Sequence, residues 1–237
     1  MNNYHTDRIS GGISLVLPCH NEEANIEAVI KEALETLAEV ADDFELIVVD
    51  DGSTDRTREI VEEFKKSDPR IKLIKHNQNL GYGSALRSGF QVAQKDWIFL
   101  TDADRQFQLR EIHRLVQELG RSRMVIGYRN PRKDPIHRRL YGEVYSFLIR
   151  ILFGLNARDV NCAFKLFDRK ILDAETMVST GALISAELLI IARRKGITPV
   201  QVPVSHFPRK AGAQSGGSVR VILRAGKELL KLLFKKR

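Results

Sequence analysis

The stretch WIFLTDADRQF, residues 97–107, joins a short apolar run to three side chains that carry oxygen atoms. WIFL has the length and composition of a buried strand, and Asp102, Asp104 and Gln106 follow it at alternate positions. Carboxylate and amide oxygens are hard ligands that suit Mg²⁺ or Mn²⁺, and the carboxyl end of a parallel strand faces the crevice where α/β sheets bind ligands. The stretch therefore predicts a divalent metal that holds a diphosphate. For a DxD pattern taken alone, a solvated turn that caps the next helix is the alternative.

Short β-branched apolar runs alternate with helical patterns through the first half of the chain. Strands are predicted at 13–17, 44–49, 71–75, 97–100 and 124–127. Helices are predicted to begin near Glu23, Asp55, Ser84 and Leu109, with Asn21, Ser53 or Asp55, and Ser84 as candidate N-caps. This alternation indicates βαβ units and an α/β fold with a mostly parallel central sheet flanked by helices. After about residue 130 it gives way to amphipathic helices around one later strand, 198–204.

Acidic residues also follow the first two predicted strands. VVDDGSTD (48–55) places Asp50 and Asp51 directly after an apolar run, and LPCHNEE (17–23) places Glu22 at the same edge of the sheet. Buried carboxylates need hydrogen-bond donors, and ribose hydroxyls or a base N–H would serve. The sequence therefore predicts that three acidic loops converge on one crevice.

The charge of the chain is concentrated in two segments. Of 237 residues, 43% are hydrophobic and 29% charged, which fits one large globular domain with an appendage. Residues 121–139 and 218–237 each carry a net charge of +6 within a total of +8, so the remainder is net acidic. The two cysteines, Cys19 and Cys162, have neither a disulfide-framework nor a metal-site spacing, which favours a reducing compartment.

Four motifs in order, LVLPCHNEEANI, VVDDGSTDRT, NLGYGSALRSGF and LTDADRQF, resemble the GT-A-fold glycosyltransferases of family 2. More narrowly, the chain resembles the dolichyl-phosphate mannose synthases and related polyprenyl-phosphate glycosyltransferases. The resemblance implies a GT-A domain at 1–217, with a nucleotide-sugar half at 1–130 and an acceptor half at 131–217. Residues 218–237 are expected to form a basic amphipathic C-terminal helix.

The resemblance also implies roles for individual residues, with His20 standing where the synthases usually have Tyr. Asp104 and Gln106 would be the main metal ligands with Asp102 assisting, and Asp104 and Arg129 would carry the catalytic charge stabilisation. Arg138, Arg139 and Lys165 would contact the phosphate of the acceptor. The residues expected to bind the nucleotide sugar are Pro18, His20, Glu22, Val49, Asp51, Asp102, Ala103, Asp104, Arg129 and Arg209.

The expected reaction is transfer of a hexose from a GDP-mannose or UDP-glucose type of donor to a polyprenyl or dolichyl phosphate, with Mg²⁺ or Mn²⁺ and with inversion at the anomeric carbon. An ionised phosphate acceptor needs no general base, whereas a hydroxyl acceptor does. Glu187 and Asp159 are the carboxylates that could serve as one.

Four alternatives stay open. They are a family 2 enzyme with a saccharide or small hydroxyl acceptor, a nucleotidyltransferase, a nucleic-acid-binding protein, and a lipid-binding scaffold. The acidic crevice argues against nucleic acid as a partner.

The sequence indicates a membrane surface rather than a membrane span. The start, MNNYHTDRISGG, lacks an apolar signal-peptide core, and the longest apolar run, FLIRILFGL, contains Arg150 and falls far short of about 20 residues. In 139–154, the stripe at 140, 144, 147, 148 and 151 predicts core packing or, because the apolar face is broad, contact with lipid headgroups. The basic helix at 218–237 favours anionic lipid over packing on the body. We therefore expect a peripheral protein on the cytoplasmic face of a membrane, where a membrane protein could present the lipid.

Overall fold

The computed structural model of the chain describes residues 8–131, 133, 136–172, 177–209 and 228–229, with the backbone alone for 136–141. The strands are β1 (Ile13–Cys19), β2 (Phe44–Asp50), β3 (Ile71–Lys75), β4 (Trp97–Thr101), β5 (Met124–Arg129), β6 (Phe164–Asp168) and β7 (Val200–Val204). The α-helices are α1 (Ile26–Val40), α2 (Thr57–Ser67), α3 (Tyr82–Val92), α4 (Ile112–Val116), α5 (Ile136–Phe153) and α6 (Ile184–Arg194).

The seven strands form one sheet in the order β3-β2-β1-β4-β6-β5-β7. The pairs β3-β2, β2-β1, β1-β4 and β5-β7 are parallel, and β6 runs antiparallel to both of its neighbours, β4 and β5. The mostly parallel sheet predicted from the alternation is confirmed. The strand β6, which apolar periodicity did not reveal, lies in the middle of the second half of the sheet.

Two apolar cores cover the two faces of the sheet, because alternate residues of each strand point to opposite sides. Leu15 and Leu17 of β1 belong to the core beneath α1 and α4, and Val16 belongs to the core beneath α3, α5 and α6. A strand buried on both faces is largely apolar, as the runs LIVV (46–49) and IFL (98–100) are. Among the helices of the described residues, none is long and apolar enough to cross a bilayer.

Two of the predicted N-caps are wrong. Asn21 has φ of 56° and its side-chain oxygen accepts from Thr54 N at 2.8 Å, while α1 starts later, at Ile26. Ser84 lies inside α3, where its hydroxyl donates to Leu80 O at 3.1 Å. Asp55 does accept from the first amide of α2, Thr57 N, at 3.0 Å. Asn and Ser side chains bond to loop backbone as readily as to a helix start, which the sequence pattern does not distinguish.

Candidate functional site

The acidic loops meet at one edge of the sheet because the strands that precede them are parallel neighbours. Cys19 of β1 pairs in register with Asp50 of β2, and Val16 of β1 pairs with Leu100 of β4. The loops that follow β1, β2 and β4 therefore leave the sheet side by side at its carboxyl edge.

The DxD loop presents two adjacent carboxylates. Asp102 accepts from the Tyr82 hydroxyl at 3.0 Å, and Asp104 accepts from the backbone amide of Gln106 at 3.1 Å. Arg105, between Asp104 and Gln106, has φ of 58°, a left-handed conformation that bends the loop back on Asp104. Burial and then the charge of Asp104 raise the pKa of Asp102 to about 7. The two carboxylates thus disfavour each other's charge, and a cation bound beside them would remove that penalty.

Arg209, from the segment after β7, reaches two of the three acidic loops. Its guanidinium pairs with Glu22 Oε1, and its Nη1 lies 3.5 Å from Asp104 Oδ2. Glu22 is further held by Asn25, whose amide donates to Oε2 at 2.8 Å. Burial is the main cause that raises the pKa of Glu22. One guanidinium therefore joins the loop after β1 to the loop after β4.

Asp50 and Asp51 receive their donors from the chain itself. Asp50 accepts from Ser53 N at 2.9 Å and from Arg58 Nε at 2.6 Å. Asp51 accepts from the backbone amides of Leu80 and Gly81, both at 2.9 Å. It also lies 2.7 Å from His76 Nδ1. The sequence correctly indicated that these buried carboxylates need donors, but it gave no sign that His76 and Arg58 supply them.

Arg129 is held by Asp159 at the end of β5. Its Nε donates to Asp159 Oδ2 at 2.7 Å and its Nη2 donates to Oδ1 at 2.9 Å. The planar fork of arginine fits a carboxylate in this two-bond arrangement. Sequence reasoning treated Asp159 as a possible base and did not find this pairing.

The comparisons with known proteins agree with this geometry. The model of the family described as Glycosyl transferase family 2 matches residues 14–175. The chain belongs to glycosyl transferase family 2. The four sequence motifs predicted this membership, and the family match confirms it.

Two curated relatives of this family 2 chain are longer proteins. Glycosyltransferase AglD of Haloferax volcanii is 31% identical over 92% of this chain, which spans 36% of AglD. The undecaprenyl-phosphate 4-deoxy-4-formamido-L-arabinose transferase of Pectobacterium carotovorum is 30% identical over 89% of this chain, which spans 64% of that protein. The chain thus spans about a third of one relative and just under two thirds of the other.

Solved structures confirm the GT-A type of fold. Glucosyl-3-phosphoglycerate synthase of Mycobacterium tuberculosis with phosphoglyceric acid superposes with a TM-score of 0.71 at 22% identity, over 95% of this chain and 80% of that one. Its complex with Mn²⁺, UDP and glucosyl-3-phosphoglycerate gives 0.71 at 22% identity, over 94% and 79%. At this identity the likeness establishes the fold.

The donor set at the DxD loop fits a hard divalent cation. Two carboxylates, Asp102 and Asp104, stand beside the amide of Gln106, whose Nε2 donates to Phe207 O at 3.1 Å. Within the described part of the chain, no group of three or more His, Cys, Asp or Glu side chains is arranged to hold a metal. Mg²⁺ and its analogues are commonly bound by one or two carboxylates together with substrate phosphates and water. The residues present match that incomplete type of site.

The residues expected near the nucleotide differ in their access to the crevice. The half-buried His20 ring donates from Nδ1 to Asp51 O at 2.9 Å, so it lies beside the strand ends. Pro18 and Ala103 are buried at the same edge. The side chain of Val49 is fully buried and packs toward α3, where a Cβ on Gly89 would lie 3.2 Å from it. Any contact of Val49 with a nucleotide would therefore come from its backbone.

Lys165 contradicts its predicted contact with an acceptor phosphate. The side chain is 0% exposed in β6, and its ammonium donates to Val160 O at 3.2 Å and to Cys162 O. Burial lowers the pKa of Lys165. The ammonium fixes the turn that carries Asp159 and is closed off from a ligand. Of the other two residues expected at the acceptor phosphate, Arg138 and Arg139, the side chains lie outside the described residues.

The helix α5 turns its apolar stripe outward, which corrects the core-packing interpretation. Phe147 is 54% and Ile151 64% exposed, and Val144, Leu148 and Leu152 are also exposed. Ser146, which lies outside this stripe, is buried, as is the core residue Ile149.

Most of the predicted C-terminal helix, 218–237, lies outside the described residues; only Glu228 and Leu229 are described. Glu228 is buried, and its Oε1 accepts from Thr180 N at 2.9 Å and Gly181 N at 3.0 Å. Leu229 packs on the core beneath α3, α5 and α6. At these two residues the segment contacts the body, so packing on the body, the less favoured alternative, holds there.

Proposed function

We propose that the chain is a metal-dependent inverting glycosyltransferase that moves a hexose from a nucleoside diphosphate sugar to a polyprenyl phosphate at a membrane surface. The observation that carries this proposal is the bridge that Arg209 makes between Glu22 and Asp104. It brings two acidic loops and a guanidinium to one crevice, as binding of a metal and a diphosphate requires.

On the donor side, Asp104 and Gln106 would be the main ligands of the cation and Asp102 would assist. A bound Mg²⁺ or Mn²⁺ supplies positive charge to the departing diphosphate. We propose that Arg209 and Arg129 donate to its oxygen atoms, since both residues lie at the carboxyl edge of the sheet. His20 and Asp51 would lie beside the base and ribose. GDP-mannose and UDP-glucose are the donor types we propose.

On the acceptor side, the structure favours a group that needs no general base. The carboxylate of Asp159 is occupied by Arg129. The carboxylate of Glu187 accepts from Val178 N and Ser179 N, both at 2.8 Å. A phosphate oxygen is already ionised, so it attacks without either carboxylate. The new bond joins this oxygen to the anomeric carbon, and the bond from that carbon to the diphosphate oxygen breaks, which inverts the carbon.

A lipid acceptor also agrees with the surface of the molecule and with one relative. The exposed apolar face of α5, formed by Val144, Phe147, Leu148, Ile151 and Leu152, suits contact with the acyl boundary of a bilayer. The Pectobacterium carotovorum relative is named for transfer to undecaprenyl phosphate. We propose that the chain works on the cytoplasmic face of a membrane, where a membrane protein could present the lipid, and that nucleic acid is not a partner.

The test is a transfer assay with purified protein, Mn²⁺ or Mg²⁺, radiolabelled GDP-mannose or UDP-glucose, and vesicles that contain polyprenyl phosphate. Label in the lipid phase that requires both metal and Asp104 supports the proposal. The variant Asp104→Ala should lose transfer, and Asp42→Ala, which removes an exposed carboxylate paired with Arg8, should retain it. Label that enters only water-soluble saccharide would contradict the phosphate acceptor and leave the donor site standing.

A further inference from the structure

Tyr82 contacts the DxD loop from a different element. It is the first residue of α3, and its hydroxyl donates to Asp102 Oδ1 at 3.0 Å. An aspartate has two side-chain torsions, and this bond restrains both of them. The bond uses one of the two carboxylate oxygens of Asp102.

The loop before α3 is anchored by Asp51. Its carboxylate accepts from the amides of Leu80 and Gly81, at 2.9 Å each. Gly81 has φ of 101°, a conformation that a side chain would strain, so this turn requires glycine. His76 also holds Asp51. Its Nδ1 lies 2.7 Å from Asp51 Oδ1, and its Nε2 lies 2.9 Å from Ser88 Oγ. The position of Tyr82 is therefore fixed from the β2 side.

The first turn of α3 is anchored from the other side by the loop at 178–181. The amides of Gly83 and Ser84 donate to Thr180 O at 3.0 and 3.3 Å. A Cβ on Gly83 would lie 2.7 Å from Gly181 O, so the two backbones touch. Glu228 fixes this loop in turn, because its Oε1 accepts from Thr180 N, Thr180 Oγ1 and Gly181 N at 2.9, 2.7 and 3.0 Å.

We propose that Tyr82 is a positioning residue that orients Asp102 for the cation, and that Glu228 acts on the same site by holding the loop on which α3 begins. This inference rests on the proposed function, since it takes Asp102 as part of the metal site. Side chains that hydrogen-bond to a ligating carboxylate set its orientation, and their loss typically costs about 10–100-fold in metal affinity.

The measurement is Mn²⁺ affinity, read from the signal of the free ion in electron paramagnetic resonance. Mn²⁺ is titrated into the full chain alone and with saturating UDP or GDP. Tyr82→Phe should weaken binding by about tenfold or more. The matched control is Tyr145→Phe, which removes the same atom from α5, where the Tyr145 hydroxyl has no partner among the described residues. It should bind Mn²⁺ like the parent protein.

The outcomes separate this inference from the proposed function. If the parent protein binds Mn²⁺ with a nucleoside diphosphate and Tyr82→Phe binds it equally well, the inference is overturned and the metal site stands. If the parent protein binds no Mn²⁺ under these conditions, the metal site of the proposed function fails, and the inference fails with it.

A second pair of variants tests the distant contact, with folding checked by circular dichroism. Glu228→Ala removes the acceptor of three donors and should weaken Mn²⁺ binding several-fold. Glu228→Gln keeps an acceptor oxygen and should restore most of the affinity. Equal affinities in the alanine variant and the parent protein would overturn the role assigned to Glu228.

Discussion

The variant Asp159→Asn tests whether the Asp159 carboxylate holds Arg129 in place or acts as a general base. The change keeps the size of the side chain and one acceptor oxygen, but it removes the charge and one of the two hydrogen bonds from the guanidinium, at 2.7 and 2.9 Å. The side chains of Arg129 and Asp159 are only 11% and 10% exposed. At such a buried position, water would replace only poorly the hydrogen bonds that the Arg129 guanidinium loses.

The expected loss of stability follows from these contacts. A hydrogen bond to a charged group contributes about 1.5–3 kcal/mol, and breaking a buried ion pair costs about 3–5 kcal/mol. Because Asn retains one acceptor, we expect about 3 kcal/mol for Asp159→Asn. For a chain of this size that corresponds to a decrease in Tm of about 6–12 °C.

The assay combines urea unfolding with transfer kinetics, and Asp168→Asn is the matched control. Asp168 also accepts two bonds from an arginine, at 2.9 and 2.7 Å, but that arginine, Arg123, is 52% exposed. Its loss should cost less than about 1 kcal/mol. For Asp159→Asn we expect a raised KM for the donor, since Arg129 loses its orientation, and an unchanged dependence of kcat on pH.

The opposite pattern would refute this reasoning. If Asp159→Asn unfolds like the parent protein, binds donor normally and loses about 10²–10⁴-fold in kcat, Asp159 is a general base. A hydroxyl acceptor would then replace the phosphate acceptor in the proposed function.

Three further predictions concern stability and reactivity. Glu187→Ala should lower the free energy of unfolding by about 2 kcal/mol, measured in urea, because two loop amides lose their acceptor. Gly83→Ala should cost about 1–3 kcal/mol in the same assay, since its Cβ would lie 2.7 Å from the backbone of Thr180. Burial raises the pKa of Cys162 to about 12 and that of Cys19 well above its usual value, so both thiols are protonated at pH 8. Ellman's reagent should therefore label neither thiol until the protein unfolds.

The first half of the sheet could be read from the sequence because its strands are largely apolar runs, except β3, IKLIK, which alternates apolar and charged residues. Predicted and observed strands there differ by two residues or fewer at their ends, as with 44–49 against Phe44–Asp50. The strand β6 escaped apolar periodicity because Lys165 and Asp168 interrupt it with charge, although Lys165 is fully buried.

The orientation of α5 could not be read from its pattern. The sequence correctly showed which residues share a stripe, but a stripe of apolar residues does not state which side of the helix meets the body. Phe147 faces outward and Ser146 inward because Ile149 and Phe153 lie on the side of the helix that packs on the body. The periodicity of the sequence shows that the helix is amphipathic, but packing decides which side of it faces the body.

The candidate site was predicted as a set of acidic loops but not as a network. Asp51 was identified as a residue that needs donors, yet its donors lie 25 to 30 residues away. The pairing of Glu22 with Arg209 spans 187 residues. Contacts over such separations leave no local pattern, so only the fold reveals them.

The loop at 178–181 is irregular, yet each of its four backbone amides donates to a buried glutamate. The amides of Val178 and Ser179 bond to Glu187, and those of Thr180 and Gly181 bond to Glu228. In deuterated water these four amides should therefore exchange as slowly as those of a regular strand. Exchange at 178 and 179 would report on the contact with Glu187, and exchange at 180 and 181 would report on the contact with Glu228. Faster exchange at 180 and 181 alone would reveal detachment of the C-terminal segment, while 178 and 179 stay protected until α6 itself opens.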